Sequence, residues 1–477
     1  MIYTKNINQG GLADSLWVGA ENSVARMCGF NLHSTPGVLK SNQVLVDLDP
    51  ATPDEIDDFV KAIVVCSDGN TYMFGSTEGK VWKKDSDNLV EHIGTVEISE
   101  TATGVLSAAE FNGHIYYATE NWLGRIAVTD AATWASATDN WNEFENGDEE
   151  FHPMQVMLLL YIGDGKDIAS VDTDDSFSES ALFGGIQEEY RIKSLGKIGT
   201  SLLIGTHVSD NVHETRIMRW DTWSLKISSF DPIPETSIHA FLQTDNVVFA
   251  VCGEQGHIYY YNGQELEEFK RVPGNYDRNN NVTMHSGAVA NWDGLPLFAL
   301  SDKDGKAIDN GVYSLGSHSR NYPKVLNLEN SLSFGLDDTR EIEIGAIAVD
   351  DNGLVVSWKR AAHLALPEEV GVDITHNSVK NKAFFETRVM NLGREAMHTM
   401  QRHMVAYVDL PENTDIKIYQ KVNYGDWEEM TSVVDAINKH KSAELSQPFY
   451  TLQVKVESIP KDNTAPIIEE LISELNG

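Results

Sequence analysis

The pentapeptide GHIYY occurs twice, as Gly113-His114-Ile115-Tyr116-Tyr117 and again as Gly256-His257-Ile258-Tyr259-Tyr260, roughly 143 positions apart. Recurrence of a phrase at a fixed distance is the sequence signature of repeat folds. In each copy a glycine-containing turn precedes Ile and Tyr side chains that alternate between two faces, as they would in a β-strand. We therefore expect Gly113 and Gly256 to occupy equivalent hairpin positions, each before the second strand of its hairpin, in two repeats that lie three repeats apart.

The segment from about residue 58 to residue 360 repeats this plan. Alternating apolar runs are separated by turns such as Asp68-Gly69 and Asn112-Gly113, and such turns favour β-hairpins. About seven units follow one another at intervals of roughly 40 to 60 residues, which is the length of a four-stranded propeller blade. The pattern predicts an all-β fold, a β-propeller of about seven blades followed by a small antiparallel β-sandwich.

Three segments follow from this pattern. Residues 1–57 are interpreted as an N-terminal arm that includes a strand, around residues 38–48, which closes the propeller and protects its edges. Residues 58–365 form the predicted propeller. Residues 366–477, where the blade spacing is lost but apolar and polar residues still alternate, form the predicted sandwich. Its last stretch, TAPIIEELISELNG, fits both a helix and a strand, and we favour a closing strand.

Aromatic residues recur near the ends of the predicted strands. We interpret them as packing between neighbouring blades, because large rings fill the space between sheets. A ring of exposed tyrosines that binds sugar is the alternative. The residues are Trp82, Tyr116, Trp220, Tyr259, Tyr313 and Trp358.

The charge of the chain is strongly unbalanced. It carries 36 Lys and Arg against 72 Asp and Glu, a formal net charge of −36. A protein of this charge repels nucleic acid and anionic membranes at long range. Sequence-specific binding to nucleic acid is therefore not expected.

The cysteines and the apolar runs further limit the kinds of protein that the sequence can represent. Cys28, Cys66 and Cys252 are far apart and odd in number, which favours neither a disulfide framework nor a zinc motif, and we expect buried small apolar side chains. The longest apolar run, Val156 to Ile162, is too short to cross a bilayer, and no signal peptide is recognised. We expect no membrane insertion and synthesis in the cytoplasm.

No arrangement of residues predicts catalysis. The stretch Ser67-Asp68-Gly69-Asn70-Thr71-Tyr72 approaches the Asp-box of sialidases, but it occurs once and a hairpin turn explains it. A glycosidase needs two converging carboxylates, and the acidic residues are too numerous to pair from sequence. The neighbours His33-Ser34 and His285-Ser286 have no third partner that would complete a nucleophilic site. We predict no catalytic residue, no cofactor and no enzymatic activity.

Three acidic stretches resemble pieces of calcium loops. They are Asp302-Lys303-Asp304-Gly305, Asp172-Thr173-Asp174-Asp175 and Asp350-Asp351-Asn352-Gly353. None continues to the bidentate Glu of an EF-hand. Solvated acidic turns are the favoured interpretation, and calcium binding stays open, so the metal content is unknown.

Two short phrases carry a resemblance to a known class of proteins. Asn22-Ser23-Val24, Gly29 and the stretch from His33 to Leu39 precede the propeller, and QVKVESIPKDNTAPIIEEL closes the chain. With the predicted layout, they resemble structural proteins of tailed bacteriophages, in particular the β-propeller tail hub or nozzle proteins of short-tailed phages. The resemblance implies hexameric rings that assemble below the head-to-tail connector and gate the DNA channel.

The resemblance therefore predicts a non-enzymatic component of a phage tail, a hub, nozzle or tail-tip/collar protein. It would act through protein–protein surfaces, with other virion proteins (connector or tail proteins) as partners and a homo-oligomeric ring as its assembly. Its location would be the virion tail, after assembly in the host cytoplasm. An acidic wall does not hold DNA phosphates, so lining or gating of the DNA channel is compatible with the charge. The alternative is a carbohydrate-binding or sialidase-like propeller that recognises a host receptor; a scaffold propeller for peptides is a third class.

Overall fold

The structure is a computed structural model. It describes residues 2–5, 11–13, 22–35, 37–48, 54–148, 150–208, 214–244, 247–276, 281–303, 305, 307–317, 324–336, 338–363, 366–391, 400–445 and 449–476. Contacts divide the chain into two compact units. Unit 1 comprises Met1–Val46, Gly311–Leu336 and Thr375–Gly477, and unit 2 comprises Asp47–Asn310 and Asp337–Ile374.

Unit 2 contains five four-stranded antiparallel sheets that follow one another along the chain. Sheet 1 has strands Val60–Val65, Thr71–Gly75, Lys80–Lys84 and Val90–Thr95. Sheet 2 has Ser107–Phe111, His114–Ala118, Trp122–Ala127 and Thr138–Glu143. Sheet 3 has Met154–Val156, Leu160–Asp164, Asp167–Val171 and Phe177–Ser178. Sheet 4 has Tyr190–Ile198, Ser201–Val208, Thr215–Trp220 and Ser229–Ile233. Sheet 5 has Ile238–Gln243, Val248–Cys252, His257–Tyr261 and Leu266–Arg271.

Shorter elements complete unit 2. A hairpin joins Val289–Trp292 to Leu295–Phe298, and Ile342–Asp350 pairs with Gly353–Arg360, which pairs with Glu369–Lys380. Glu97–Ile98 forms a small pair with Thr101–Ala102, and Val282–Thr283 pairs with Ser301–Asp302, which in turn pairs with Ile342–Asp350. In the described part of the chain one 3-10 helix occurs, Val128–Thr133. The fold is thus nearly all-β, as predicted.

The five sheets of unit 2 are arranged like the blades of a propeller. In each sheet the strands pair in chain order, and the first strand of each sheet lies beside the first strand of the next. The sequence favours hairpins of sequential strands within each sheet, because glycines occupy the turns between strands. Gly69 and Gly113 have φ of +83° and +76°, a left-handed conformation that costs other residues free energy. The predicted propeller-like all-β fold is therefore confirmed at this level.

The two GHIYY phrases do not occupy equivalent positions, so that prediction is wrong. His114–Ala118 is the second strand of sheet 2, whereas His257–Tyr261 is the third strand of sheet 5. Both are interior strands with a neighbour on each side, and both bury Ile and Tyr on two faces. The phrase therefore specifies a buried interior strand after a glycine turn, and such strands occur at two places in each four-stranded sheet.

The recurring aromatic residues form the core, as predicted. Their exposed fractions are at most 7%: Trp82, Tyr116, Trp220, Tyr259, Tyr313 and Trp358. Four of those in unit 2 pack between sheets, namely Trp82, Tyr116, Trp220 and Tyr259. Tyr116 contacts apolar residues of sheet 3, and Trp220 packs with Tyr161 and Ile168 of sheet 3. Since these rings are buried, they do not form an exposed sugar-binding ring. The cysteines Cys28, Cys66 and Cys252 are free and buried, as expected.

Unit 1 contains two antiparallel sheets. Sheet A has the order Phe30–Asn31, Leu39–Ser41, Ile467–Asn476, Met400–Asp409, His440–Leu445 and Ser432–Asp435, with Ile2–Lys5 also on Ile467–Asn476. Sheet B has the order Val24–Cys28, Ala383–Thr387, Thr451–Ile459, Asp415–Val422 and Glu428–Glu429, with Met390–Asn391 also on Thr451–Ile459. The strands Gly311–Gly316 and Val325–Ser331 pair with each other. The predicted closing strand in TAPIIEELISELNG is confirmed by Ile467–Asn476.

Segments distant in sequence build unit 1, whereas unit 2 is mostly one continuous stretch. The domain boundaries that we place at residues 57/58 and 365/366 stay a prediction. Leu48, at the end of the expected closing strand around residues 38–48, donates its N–H to the carbonyl of Val372 at 2.7 Å. That strand continues from Gln43–Asp47. Within the described ranges, helices of the length and apolar character needed to span a membrane do not occur.

Candidate functional site

The Asp-box-like stretch forms a hairpin turn. The Asp68 carboxylate accepts hydrogen bonds from the Asn70 N–H at 2.9 Å, the Asn70 amide at 2.8 Å and the Tyr72 hydroxyl at 2.8 Å. These bonds hold the tight connection between the first two strands of sheet 1. Asp68 therefore has a local role in the turn, as predicted.

The acidic stretches also use their carboxylates on the backbone. Asp302 accepts the N–H groups of Gly305, Ala307 and Ile308 at 2.9 to 3.2 Å, and Asp172 accepts those of Asp174 and Ser176. Asp350 accepts the Asn352 N–H at 2.9 Å and pairs with Lys84 at 2.6 Å. Asp304 lies outside the described residues. Among the residues that the structure describes, no group of three or more His, Cys, Asp and Glu could hold a metal ion.

The structure separates the sequence neighbours His and Ser. In unit 1, His33 Nε2 lies 3.0 Å from the Ser314 hydroxyl, which donates to Glu329 at 2.5 Å. Ser34 lies elsewhere and binds Asn31 through its N–H. In unit 2, His285 Nε2 lies 2.5 Å from Glu343. Ser314 is fully buried, so a substrate does not reach this Ser–His pair. A second pair, His403 Nδ1 and the Ser473 hydroxyl at 2.8 Å, is fully buried as well.

The outer hairpin of sheet 4 carries the most exposed aromatic side chain among the described residues. The loop between Thr215–Trp220 and Ser229–Ile233 holds Trp223 at 83% and Leu225 at 72% exposure. We call residues 221–228 the display loop. An exposed Trp next to an exposed Leu is unusual for a monomer surface, where large apolar side chains normally turn inward.

Hydrogen bonds fix the conformation of the display loop. The Asp221 carboxylate accepts the N–H groups of Trp223 at 3.0 Å and Ser224 at 2.7 Å, and the Ser224 hydroxyl at 2.5 Å. These bonds lower the pKa of Asp221. Thr222 takes a φ of +67°, and the buried Trp220 donates its indole N–H to the Ser224 carbonyl at 2.7 Å. The loop is therefore ordered with Trp223 held outward, which lowers the entropy lost when a partner binds.

A groove of about 960 Å³ runs beside the display loop. Its apolar wall includes Phe183, Ile186, Met218 and Phe230, and its charged residues include Arg216 and Lys226. Phe183 and Phe230 are exposed. The groove and the display loop together form an apolar surface with a basic rim, which we call the outer surface of sheet 4.

Arg216 lines the groove and packs on two aromatic rings of sheet 4. Its guanidinium lies 4.7 Å from the ring centre of Tyr190 and 4.6 Å from that of Phe230. One nitrogen donates to the Gln187 side chain at 2.6 Å, Nη2 lies 3.5 Å from the Glu214 carboxylate, and Nε is buried without a hydrogen-bond partner among the described residues. Stacked guanidinium groups of this kind are common at protein interfaces. Arg216 thus places positive charge on one side of a strongly acidic protein.

Sequence reasoning missed the outer surface of sheet 4. The stretch RWDTWSLKISSF contains two Trp residues three positions apart, Trp220 and Trp223, and only the first was assigned to packing. One signal was present: Asp221 before Trp223-Ser224 fits a side-chain-capped turn. Such a turn places the following residues in a loop and therefore at the surface.

Comparison with known proteins finds similarity of structure alone. No protein-family model and no curated protein sequence matches the chain. A streptogramin B lyase structure superposes with a TM-score of 0.43 at 11% identity over 70% of this chain and 98% of the lyase. A virginiamycin B lyase from Staphylococcus aureus gives 0.44 at 11% identity over 70% and 100%.

A third solved structure is the extracellular domain of a hybrid two-component system from B. thetaiotaomicron. It superposes with a TM-score of 0.45 at 12% identity, over 75% of this chain and 42% of that one. These scores are low, and they assign neither an activity nor a ligand to this chain.

Proposed function

We propose that the chain is a non-enzymatic structural component of a phage tail, a hub, nozzle or tail-tip/collar protein, that acts through protein–protein surfaces. The observation that carries this proposal is the display loop, where hydrogen bonds to Asp221 hold Trp223 and Leu225 in solvent. A rigid exposed Trp is the typical centre of an interface. An exposed Trp223 adds no stability to the isolated chain, so we infer that it contacts another molecule.

A second copy of this chain is the partner that best fits the outer surface of sheet 4. Each copy carries a net charge of −36, so most faces of two copies repel each other. The charged residues that line the groove are Arg216, which lies 3.5 Å from Glu214, and Lys226, and an acidic face of a neighbouring copy would complement their positive charge. A repeated contact of one face with a different face produces a ring when the rotation closes. This arrangement supports the homo-oligomeric ring implied by the phage resemblance.

The propeller-like unit is proposed to close as a ring of seven blades. What supports this is the order of the first strands: those of sheets 1 to 5 are followed by Val289–Trp292 and Ile342–Asp350, each beside its predecessor. Ile342–Asp350 in turn lies beside Val60–Val65 of sheet 1.

The β-sandwich is also a proposal, and a contact between its two sheets supports it. The ring of Phe30 in sheet A packs on the ring of Phe385 in sheet B, at 6.3 Å between ring centres.

Any DNA channel would run between copies of the chain. The cavity along the first strands of unit 2 has a volume of about 210 Å³, room for a few water molecules at about 30 Å³ each. A duplex does not fit there. The proposed conduit is therefore the central opening of an oligomeric ring, whose acidic wall would let DNA slide.

Sedimentation velocity of the purified protein across a salt series tests the proposal. Salt screens the repulsion over about 8 to 10 Å, so we expect association to increase with ionic strength. Trp223→Ala should weaken association by roughly 30-fold or more, as expected at the centre of an interface. Trp292→Ala is the matched control, because Trp292 is also exposed and lies in a different hairpin.

Mass spectrometry of particles purified from the source should find the chain at a fixed copy number. A monomer at every salt concentration that is also absent from particles contradicts the proposal.

The second candidate is a carbohydrate-binding propeller, which the exposed Trp223 and Phe183 also favour because sugar rings stack on aromatic side chains. Glycan-array binding that is lost in Trp223→Ala, together with a monomeric state at all salt concentrations, would support it over the structural role. The non-enzymatic proposal predicts no turnover of sialosides or other glycosides. Turnover abolished by replacing one carboxylate would overturn that part.

A further inference from the structure

Three basic residues occupy β-bulges on the first strands of unit 2. Lys61 in sheet 1, Lys193 in sheet 4 and His239 in sheet 5 are each the extra residue at a register shift, between Val60 and Ala62, Ile192 and Ser194, and Ile238 and Ala240. A bulge re-aims one side chain away from the regular alternation, and bulges are frequent next to functional sites. Lys61 lines the cavity of about 210 Å³, as do Ser194 and Ala240, the residues that follow Lys193 and His239 in the chain.

Lys193 is buried without an ion pair to any of the described residues. Its exposed fraction is 4%, and no hydrogen bond or ion pair joins its Nζ to another of the described residues. The ammonium group lies 4.8 Å from the ring centre of Phe151. The pKa of Lys193 is lowered to about 7, mainly by burial; the negative charge of Glu150 opposes this shift and the positive charge of Lys303 adds to it. An unpaired Lys in such a place is costly and therefore informative.

Two histidines beside Lys193 have unused ring nitrogens. His239 Nε2 lies 2.9 Å from the Gly253 carbonyl, so Nε2 carries the hydrogen and Nδ1 presents a lone pair. Nδ1 of His239, Nδ1 of His207 and the hydroxyl of Ser237 are buried and have no hydrogen-bond partner in the part of the chain that the structure describes. Burial, and then the charge of Lys193, lowers the pKa of both histidines. We call Lys193, His207, Ser237 and His239 the basic cluster.

The carboxylates nearby are already engaged. Asp148 accepts a hydrogen bond from Arg191 Nε at 3.0 Å, and Glu343 pairs with His285. Glu150 is exposed and lies 3.8 Å from Arg191. The other cations that act on the basic cluster or on His285 are Lys61 and Lys303. Within the described ranges, an ammonium donor and histidine lone pairs are therefore buried without a hydrogen-bond partner, and Glu150 is a carboxylate whose charge acts on both Lys193 and His207.

We propose that the basic cluster binds a phosphoryl group, as inorganic phosphate or as the phosphate of a nucleotide. Hydrogenphosphate, and the phosphate of a nucleotide in its singly protonated form, carry acceptor oxygens for the Lys193 ammonium and one P–OH donor for Nδ1 of His239. A carboxylate has no such donor and would match only part of the cluster. The bound anion would supply the ion pair that Lys193 does not form with the described residues, in a site where burial strengthens each charged hydrogen bond.

Isothermal titration calorimetry with inorganic phosphate tests this inference, with adenosine monophosphate and acetate as parallel ligands. We expect saturable phosphate binding and weaker acetate binding at equal ionic strength. Lys193→Met should weaken phosphate binding by about 10-fold or more, the typical effect of a hydrogen bond to a charged group. Lys197→Met is the matched control, since Lys197 is exposed on the same strand. It should bind as the wild type does.

The ligand comparison and the buffer dependence separate the outcomes. Tighter binding of the nucleotide than of free phosphate would identify a nucleotide as the source of the phosphoryl group, and equal binding would identify the free ion. In two buffers of different ionisation enthalpy at pH 8, binding should take up a proton in the wild type and not in Lys193→Met. Absence of saturable binding between pH 6 and pH 8, or equal affinity in a folded Lys193→Met variant, overturns the inference. Neither result bears on the phage-tail proposal.

Discussion

The two sides of sheet 4 reverse the usual distribution of polarity. On its first strand Lys193 is 4% exposed, and in its outer hairpin Trp223 is 83% exposed. Globular proteins normally expose Lys and bury Trp. The middle of the same sheet follows the normal rule, with Leu202, Leu203 and Ile204 fully buried. The burial of Lys193 and the exposure of Trp223 do not stabilise the isolated chain. Both residues are therefore candidates for contacts with other molecules.

Trp220→Ala should produce the largest loss of stability in this sheet. Trp220 is 2% exposed, packs edge-to-face on Tyr161 at 5.8 Å between ring centres, and donates to the Ser224 carbonyl. We expect the free energy of unfolding to fall by roughly 3–5 kcal/mol. Denaturant unfolding followed by circular dichroism measures it. Trp223→Ala, three positions later, should stay within about 0.5 kcal/mol of the wild type. Equal losses in the two variants would remove the contrast between core and display loop.

Lys193→Met should stabilise the chain. Replacing a buried unpaired charge by an apolar side chain of similar length is expected to add roughly 1–4 kcal/mol near pH 6. The pKa of Lys193 is lowered to about 7 in the folded state, against about 10.4 in an unfolded chain. Between these values the unfolded state binds more protons, so wild-type stability rises with pH. That rise should disappear in Lys193→Met and persist in Lys197→Met. A variant less stable than wild type at pH 6 would show that Lys193 is compensated within the fold.

His207 should make the protein sensitive to acid. Burial lowers the pKa of His207 to about 4, against about 6.5 in an unfolded chain. Below pH 6.5 the unfolded state binds the extra proton, so stability falls as the pH falls through this window. His207→Phe should reduce the loss between pH 6.5 and pH 4 by roughly 1–3 kcal/mol. His376→Phe, at an exposed position of Glu369–Lys380, should leave the loss unchanged, and thermal melts at each pH compare the two.

Much of the fold could be predicted because strands and turns are local signals. Glycines with positive φ mark the turns, and alternating apolar residues mark the strands. The exact place of a strand in its sheet is not local. GHIYY fits any strand with neighbours on both sides, so the sequence alone did not distinguish the second strand of sheet 2 from the third strand of sheet 5. Unit 1 was harder, since its sheets join segments more than 400 residues apart, such as Leu39–Ser41 and Ile467–Asn476.

The candidate sites could not be predicted for the same physical reason. Lys193 lies in the stretch RIKSLGKI, where it looks like any exposed Lys of an alternating strand. Its burial follows from a one-residue bulge, which shifts the alternation and is set by pairing with Ser201–Val208. The turn at Asp172, in contrast, was interpretable from sequence, because an Asp two residues before a backbone N–H caps its own turn. The solvated turn expected at Asp302 is wrong, since Asp302 is fully buried.

Asp221→Ala should have the smallest effect on stability and still reduce association. Asp221 is exposed, and its carboxylate orders the display loop through the N–H groups of Trp223 and Ser224. Without these bonds the loop gains conformations, and binding must then order it again, which weakens an interface without removing a contact. Asp221→Asn keeps one acceptor oxygen and should retain most of the association.

Hydrogen bonds from Ser224 and from the loop backbone lower the pKa of Asp221. Association of the wild type should therefore resist acid until the pH falls below the ordinary range in which an Asp carboxyl is protonated. Sedimentation of the three proteins at fixed salt compares them. Unchanged association in Asp221→Ala would mean that Trp223 acts without a preformed loop, and association lost equally in Asp221→Asn would assign the effect to charge and not to loop order.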